Sequence, residues 1–312
     1  MRIFRHFHTV PADFRGAVLA LDDFDGVHLG HRALIAQAKA QARATGRKLA
    51  VMTFEPQPRE YFGMERDRLT PLRAKARLLA ELGVDALFAL RFDDAMSRRS
   101  APDFVKDVLL KGLAVSAVVV GDDFQFGKGR GGDFSGLAHA GAVEGFSVTP
   151  APPVSDGKGR IGAGRIRDAL REARPDEAAR LLGRAWAVEG RVRHGDARGR
   201  TLSFPTANMQ LDKCVTPARG IYAVRVKVLD GNQVALRRNG VANFGVRPMY
   251  RTEMPLLETH LFDFDGDLYG RNLCVEMVAW LRPEANFPGP PELIAQMNRD
   301  AAQARDILSV AT

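Results

Sequence analysis

Cysteine is almost missing from this 312-residue chain, which carries only Cys214 and Cys274. Two isolated thiols exclude a disulfide framework and a cysteine-rich zinc site, and they suggest no redox chemistry. Long apolar runs are missing too, since none approaches the roughly 20 residues needed to cross a bilayer. The amino-terminal stretch MRIFRHFHTVPADFRG breaks its apolar character with arginines and histidines, unlike a signal peptide. The expectation is a cytoplasmic protein with no membrane partner. No internal repeat or low-complexity tract is visible, and GKGRGG at 127–132 lacks the GKS or GKT that completes a P-loop.

What is present is an ordinary soluble balance, 46% hydrophobic and 26% charged, in a length that suits two domains. The net charge is +8, and residues 158–200 hold twelve Lys and Arg against six Asp and Glu. Such a stripe attracts phosphates, so a basic nucleic-acid-binding protein is one reading. No module signature with stacking aromatics accompanies it, and a solvated linker and helix surface is the plainer account.

From 17 to 121, apolar runs (AVLAL, KLAVMTF, ALFALRF, AVSAVVVG) alternate with helical stretches near 33–45, 72–82 and 102–111. That pattern predicts a parallel sheet buried on both faces, a doubly wound α/β domain. Ligands of such folds sit at the carboxyl ends of the strands. DDFDGVHLGH, EPQPRE and DDFQFGKGRGG each follow a strand, so three loops converge on one crevice. Near Gly183 the period changes. WAVEGRVRHG, GIYAVRVKVLDGNQVALRRNGVANFG and PLLETHLFDFDGDLYGRNLCVEMVAWL alternate between glycine, asparagine and aspartate turns, which predicts antiparallel strands. The next long helical pattern is PPELIAQMNRDAAQARDILSV, at the end. The chain thus reads as α/β over 1–183 plus all-β over 184–312, the second a barrel or sandwich closed by a C-terminal helix.

His28 and His31 flank Gly30 where a strand hands over to a helix, and free backbone N–H groups there favour phosphate. Two imidazoles in that place can donate hydrogen bonds to a transferring phosphoryl group; a metal site or a purely structural pair are the alternatives. Glu258 ends an apolar strand, where a carboxylate can serve as a base or simply pair with an arginine. DFDGD at 263–267 begins like a calcium loop, but Leu268 and Cys274 occupy its glycine and glutamate positions, so it reads as a turn. Lys128 and Arg130 are within reach of phosphates, and Phe4, Phe7, Phe14 and the other scattered aromatics read as core.

FDGVHLGHRALI, TFEPQPREYF and GDDFQFGKGRGGD resemble the nucleotidylyltransferase module of bacterial bifunctional riboflavin kinase/FAD synthetases. GRTLSFPTAN, GIYAV and ETHLFDFDGDLYG resemble the kinase module of the same proteins, in the same order over nearly the whole chain. The resemblance implies a Rossmann-like nucleotidylyltransferase domain followed by a riboflavin-kinase-type antiparallel β-barrel. It implies riboflavin, FMN and ATP as small-molecule substrates, Mg2+ as cofactor and no nucleic acid. It gives catalytic roles to Glu258, the base for the flavin ribityl hydroxyl, and to His28 and His31. Nucleotide and phosphate contacts fall on Asp23, Phe24, Gly26, Gly30, Arg165, Arg167, Thr206 and Asn208, with the Thr206 hydroxyl facing the metal. Flavin contacts fall on Asp123, Phe124 and Phe126.

Three departures stand out. Asp22 and Asp23 replace the family's usual Gly-Asn and add negative charge beside a phosphate loop. The usual Ser-Ser-Thr before RIR is here Gly162, Ala163 and Gly164, which offer no hydroxyl to ATP. That loss predicts slow adenylyl transfer, and it keeps alive a reading in which the amino-terminal domain only senses flavin or nucleotide. Ser203 and Met249 replace a usual Gly and Thr in the kinase half.

Overall fold

The computed structural model describes all residues except 65–66, 194–203, 212–213, 232, 250–251 and 311–312, and describes 246–249, 252–255 and 310 by their backbone. Ser203, and the side chain of Met249, therefore lie outside the described residues. The chain forms two compact units, Met1–Arg66 with Thr70–Gly162, and Asp67–Leu69 with Ala163–Thr312. The change from helix to strand near Gly183 falls inside the second unit, because the helical hairpin before it packs on that unit's strands.

The first unit is a six-stranded parallel sheet: β1 (Arg2–Phe4), β2 (Val18–Leu21), β3 (Leu49–Glu55), β4 (Ala86–Arg91), β5 (Ala117–Gly121) and β6 (Ser147–Ala151), in the order β1-β4-β3-β2-β5-β6. Its longer helices are α1 (Leu29–Ala44), α2 (Leu72–Glu81), the π-helical α3 (Phe104–Gly112) and α4 (Phe134–Glu144). Alternate strand residues enter opposite cores. Leu19, Met52, Phe88 and Val118 join one cluster, and Val18, Val51, Leu87 and Val119 the other. A sheet buried on both faces cannot alternate polar with apolar, hence the continuous apolar runs. Strand order reverses at β2, whose neighbours are β3 and β5, so the loops after β2 and β5 diverge there and leave a crevice.

The second unit opens with the hairpin α5 (Ala163–Arg171) and α6 (Pro175–Leu182), then forms β7 (Trp186–Arg191), β8 (Ala207–Gln210), β9 (Gly220–Asp230), β10 (Gln233–Met249), β11 (Thr252–Leu261) and β12 (Asn272–Arg282). These pair antiparallel in the order β7-β12-β9-β10-β11-β8. The two edges of the curled sheet meet at an isolated bridge, Arg193 with Asn208, which closes it into a barrel. Period-two burial is plain in β9: Tyr222, Val224, Val226 and Val228 are buried, while Arg225 and Lys227 are half-buried. The closing helix α7 (Pro290–Val310) seats Ala304 and Leu308 against Ala223 and Phe262.

Candidate active sites

In the first unit the loop after β2 is held in a conformation that side chains resist. Phe24, Gly26 and Val27 have φ of 50°, 82° and 45°, and left-handed backbone at two non-glycine residues needs support from its surroundings. Thr70 supplies part of it: its N–H donates to Asp25 Oδ1 (3.0 Å), and its Oγ1 accepts from the Gly26 N–H (2.9 Å). The Asp23 carbonyl accepts from Thr53 Oγ1 (2.9 Å) and from Lys75 Nζ (2.5 Å), and Lys75 is fully buried.

This loop delivers His28 to the N-cap of α1, where its Nδ1 accepts from the His31 N–H at 3.3 Å. An accepting Nδ1 is unprotonated, so the ring's own proton lies on Nε2. His31 stacks on His28 with ring centroids 3.6 Å apart, and its Nε2 lies 3.7 Å from Asp22 Oδ1. Gly30 allows this arrangement, since a Cβ there would come within 3.1 Å of the His28 ring. Burial works against the Asp22 carboxylate, but the His31 charge and hydrogen bond, the Asp23 N–H and His28 outweigh it and hold the group below the usual carboxylate range. Asp23 moves the opposite way: burial and then the Asp22 charge raise it, against the pull of Lys75.

Asp22 and Asp23 also border a cavity of about 520 Å³ walled by Phe54, Phe62, Phe92, Phe104, Phe124 and Phe126, with Asp123, Arg59, Arg99 and Arg130 around it. Phe124 and Phe126 stack at 5.5 Å, and Arg160 grips Asp123 through two hydrogen bonds of 2.6 and 2.9 Å. The three expected flavin residues thus come together with the loop after β2. Phe4, Phe7 and Phe14 are core or pack on it. Phe54, Phe62, Phe92 and Phe104 correct the expectation that the other aromatics are only core. TFEPQPREYF, which carries Phe54, Phe62 and, on the short helix Pro58–Tyr61, Arg59, was the sequence signal for that side of the wall.

Arg165 and Arg167 lie on α5, in the second unit. Arg167 Nε donates to the Asp67 carbonyl at 2.6 Å. Other charges of the basic stretch are paired as well: Arg171 with Asp67, Arg174 with Glu172 and Glu177, and Arg193 with Gln210.

The second site is made by strand register. In the β8–β11 ladder Asn208 is directly opposite Glu258, and in the β10–β11 ladder Asn243 is opposite Glu258 on its other side. Residues opposite one another share a face, so Asn208, Glu258 and Asn243 form a row. Thr206 lines a cavity of about 490 Å³ with Ala207, Thr259, Asp265, Asp267 and Tyr269. The Asp267 carboxylate accepts from the Tyr269 N–H at 2.8 Å, as in a turn. Asn208 Oδ1 and Asn243 Oδ1 are buried without a hydrogen-bond partner. Sequence reasoning missed Asn243, whose only cue was its register with Glu258. Among the described residues no group of three His, Cys, Asp or Glu gathers to hold a metal, and no helix is long and apolar enough to cross a membrane.

Two family models match the chain, FAD synthetase over residues 10–165 and riboflavin kinase over 182–308. A curated Escherichia coli K12 protein named bifunctional riboflavin kinase/FMN adenylyltransferase is 42% identical across 99% of both chains. Proteins of the same name from Pseudomonas fluorescens and Bacillus subtilis are 42% and 35% identical, over 98% and 95% of this chain and 97% and 94% of theirs. A crystal structure described as a macrolide-efflux protein from Streptococcus pneumoniae superposes with a TM-score of 0.86 at 29% identity, covering 98% of this chain and 99% of that one.

Proposed function

The chain belongs to the bifunctional riboflavin kinase/FMN adenylyltransferase family, and on that premise we propose how its residues divide the two reactions. Residues 184–312 phosphorylate riboflavin to FMN, and residues 1–183 adenylylate FMN to FAD with release of pyrophosphate. The observation that carries the kinase assignment is the register of Glu258 against Asn208, two residues beyond Thr206. Glu258 takes the proton of the ribityl hydroxyl as its oxygen attacks the γ-phosphorus of ATP, and ADP leaves. Thr206 lines its cavity with Asp265 and Asp267, and its Oγ1 is an oxygen donor that suits magnesium, a hard cation that takes its remaining ligands from water and substrate phosphates. When bound, the ion supplies charge neutralisation on those phosphates.

In the amino-terminal unit the phenylalanine-walled cavity suits a flat tricyclic ring, and its rim of arginines suits the FMN phosphate. An FMN phosphate oxygen attacks the α-phosphorus of ATP. His28, through Nε2, and His31, whose Nε2 lies beside Asp22, donate to the phosphate oxygens as charge shifts onto the departing pyrophosphate. Gly162, Ala163 and Gly164 bring no hydroxyls to this reaction, so adenylylation is the slower of the two. That gap is also what favours the second reading, a kinase whose first unit mainly senses flavin or nucleotide. A cytoplasmic location agrees with Cys214 and Cys274 forming no disulfide.

The deciding experiment incubates the purified chain with riboflavin, ATP and magnesium and separates FMN from FAD by chromatography. FMN is expected to accumulate ahead of FAD. No FMN at all would sink the kinase assignment, and FMN with no trace of FAD would favour the sensor reading.

A further inference from the structure

The row Asn208–Glu258–Asn243 has a second carboxylate at its edge. Glu284, in the segment after β12, accepts from Asn243 Nδ2 at 3.3 Å. It has room to do so because residue 245 is glycine: a Cβ there would lie 2.5 Å from Glu284 Oε1. Glu284 is exposed and can only accept, so it fixes which way the Asn243 amide faces, with NH2 toward Glu284 and the carbonyl oxygen turned away. That oxygen is buried and has no hydrogen-bond partner, as is Asn208 Oδ1 on the far side of Glu258. A buried acceptor left unmatched is costly in the folded chain and calls for a donor from the ligand.

The ligand that suits this row must bring hydrogen-bond donors in series. Phosphate oxygens only accept and are repelled by a line of acceptors, whereas vicinal hydroxyls match it. We infer that Asn243, oriented by Glu284, binds the ribityl hydroxyl next to the one that is phosphorylated, and so makes the kinase selective for a polyhydroxy chain. Glu284 is a positioning residue acting through Asn243. The inference rests on Glu258 being the base for the neighbouring hydroxyl.

The test compares the full-length chain with Asn243→Ala and Glu284→Gln on two substrates, riboflavin and an analogue lacking the ribityl hydroxyl next to the terminal one. With riboflavin, Asn243→Ala should lower kcat/KM by about tenfold to a hundredfold, mainly through KM for the flavin. With the analogue it should change kcat/KM less than about twofold, because the contact is already gone. Glu284→Gln frees the Asn243 amide to turn over, and should give a smaller loss confined to riboflavin. Equal losses on both substrates, no loss on riboflavin, or an altered magnesium requirement with both flavins would each overturn the proposal. If Asn243→Ala does not fold, Glu284→Gln decides alone, since an exposed isosteric change leaves the core intact. Glu258→Gln is assayed alongside: unimpaired turnover there removes the base but leaves the hydroxyl dependence of Asn243 to be scored on its own.

Discussion

In the first unit the residues of interest sit where strands stop; in the second they sit within the strands. A parallel sheet covered on both faces has no room for polar side chains along β2 or β5, so its chemistry is exported to the loops beyond Leu21 and Gly121. Those loops need scaffolding, hence Thr70, Thr53 and the buried Lys75 under the loop after β2. An antiparallel barrel alternates its faces, and pairing alone sets Glu258 between Asn208 and Asn243. Loop sites tolerate exchange of whole motifs, while ladder sites are exact to one residue, because a slip of one turns every side chain to the other face.

The largest test of this division is Glu258→Gln. It should cut FMN formation by about a thousandfold and leave FAD formation from supplied FMN unchanged, with both products followed by chromatography. Loss of both would mean that the units do not work independently. Next comes restoration of the missing hydroxyls. A Cβ added at Gly162 or Gly164 meets nothing within 4 Å, so Gly162→Ser, Ala163→Ser and Gly164→Thr together should fit. The FAD rate should rise by about a hundredfold while the FMN rate stays put; an unmoved FAD rate would mean that other groups already make those contacts.

A smaller effect is expected of Thr70→Val, which removes the oxygen that accepts from Gly26 and leaves the buried Asp25 with one donor fewer. The first unit should lose about 1–3 kcal/mol in thermal unfolding, with kinase turnover at 25 °C retained. A fall in kinase turnover would contradict the division. Smallest is Asp22→Asn. Asp22 has a lowered pKa in the folded chain, so its contribution to stability is full above the unfolded value of about 3.9 and is lost as pH falls through the depressed one. For a half-exposed group that contribution is under about 1 kcal/mol. The variant should show a flatter acid limb in pH-dependent unfolding than the parent, and identical limbs would remove the Asp22–His31 pair from the account.

How far the sequence reveals all this differs between the two halves for the same reason. The central strands of the first unit were legible as unbroken apolar runs. Its edges, β1 and β6, were not, because RIF and SVTPA are short, largely uncovered and broken by Arg2 or Pro150. The crevice was legible from three loops that each follow a strand, yet its aromatic wall was not, since nothing local brings Phe104 beside Phe54. In the second unit alternation announced the strands, but register is a property of pairs. Asn243 and Glu284 are 41 residues apart, and only folding shows that one orients the other.

Asn208 belongs to two structures at once. Its carbonyl accepts from the Arg193 N–H at 2.9 Å, the bond that joins the two edges of the barrel, while its side chain stands in the row with Glu258. Ring closure and the proposed ligand contact therefore share a residue, and any free-energy coupling between them is equal in both directions. If a ligand held by the Asn208 side chain slows solvent exchange of the Arg193 amide, a chain with a weakened seam binds that ligand more weakly by the same factor.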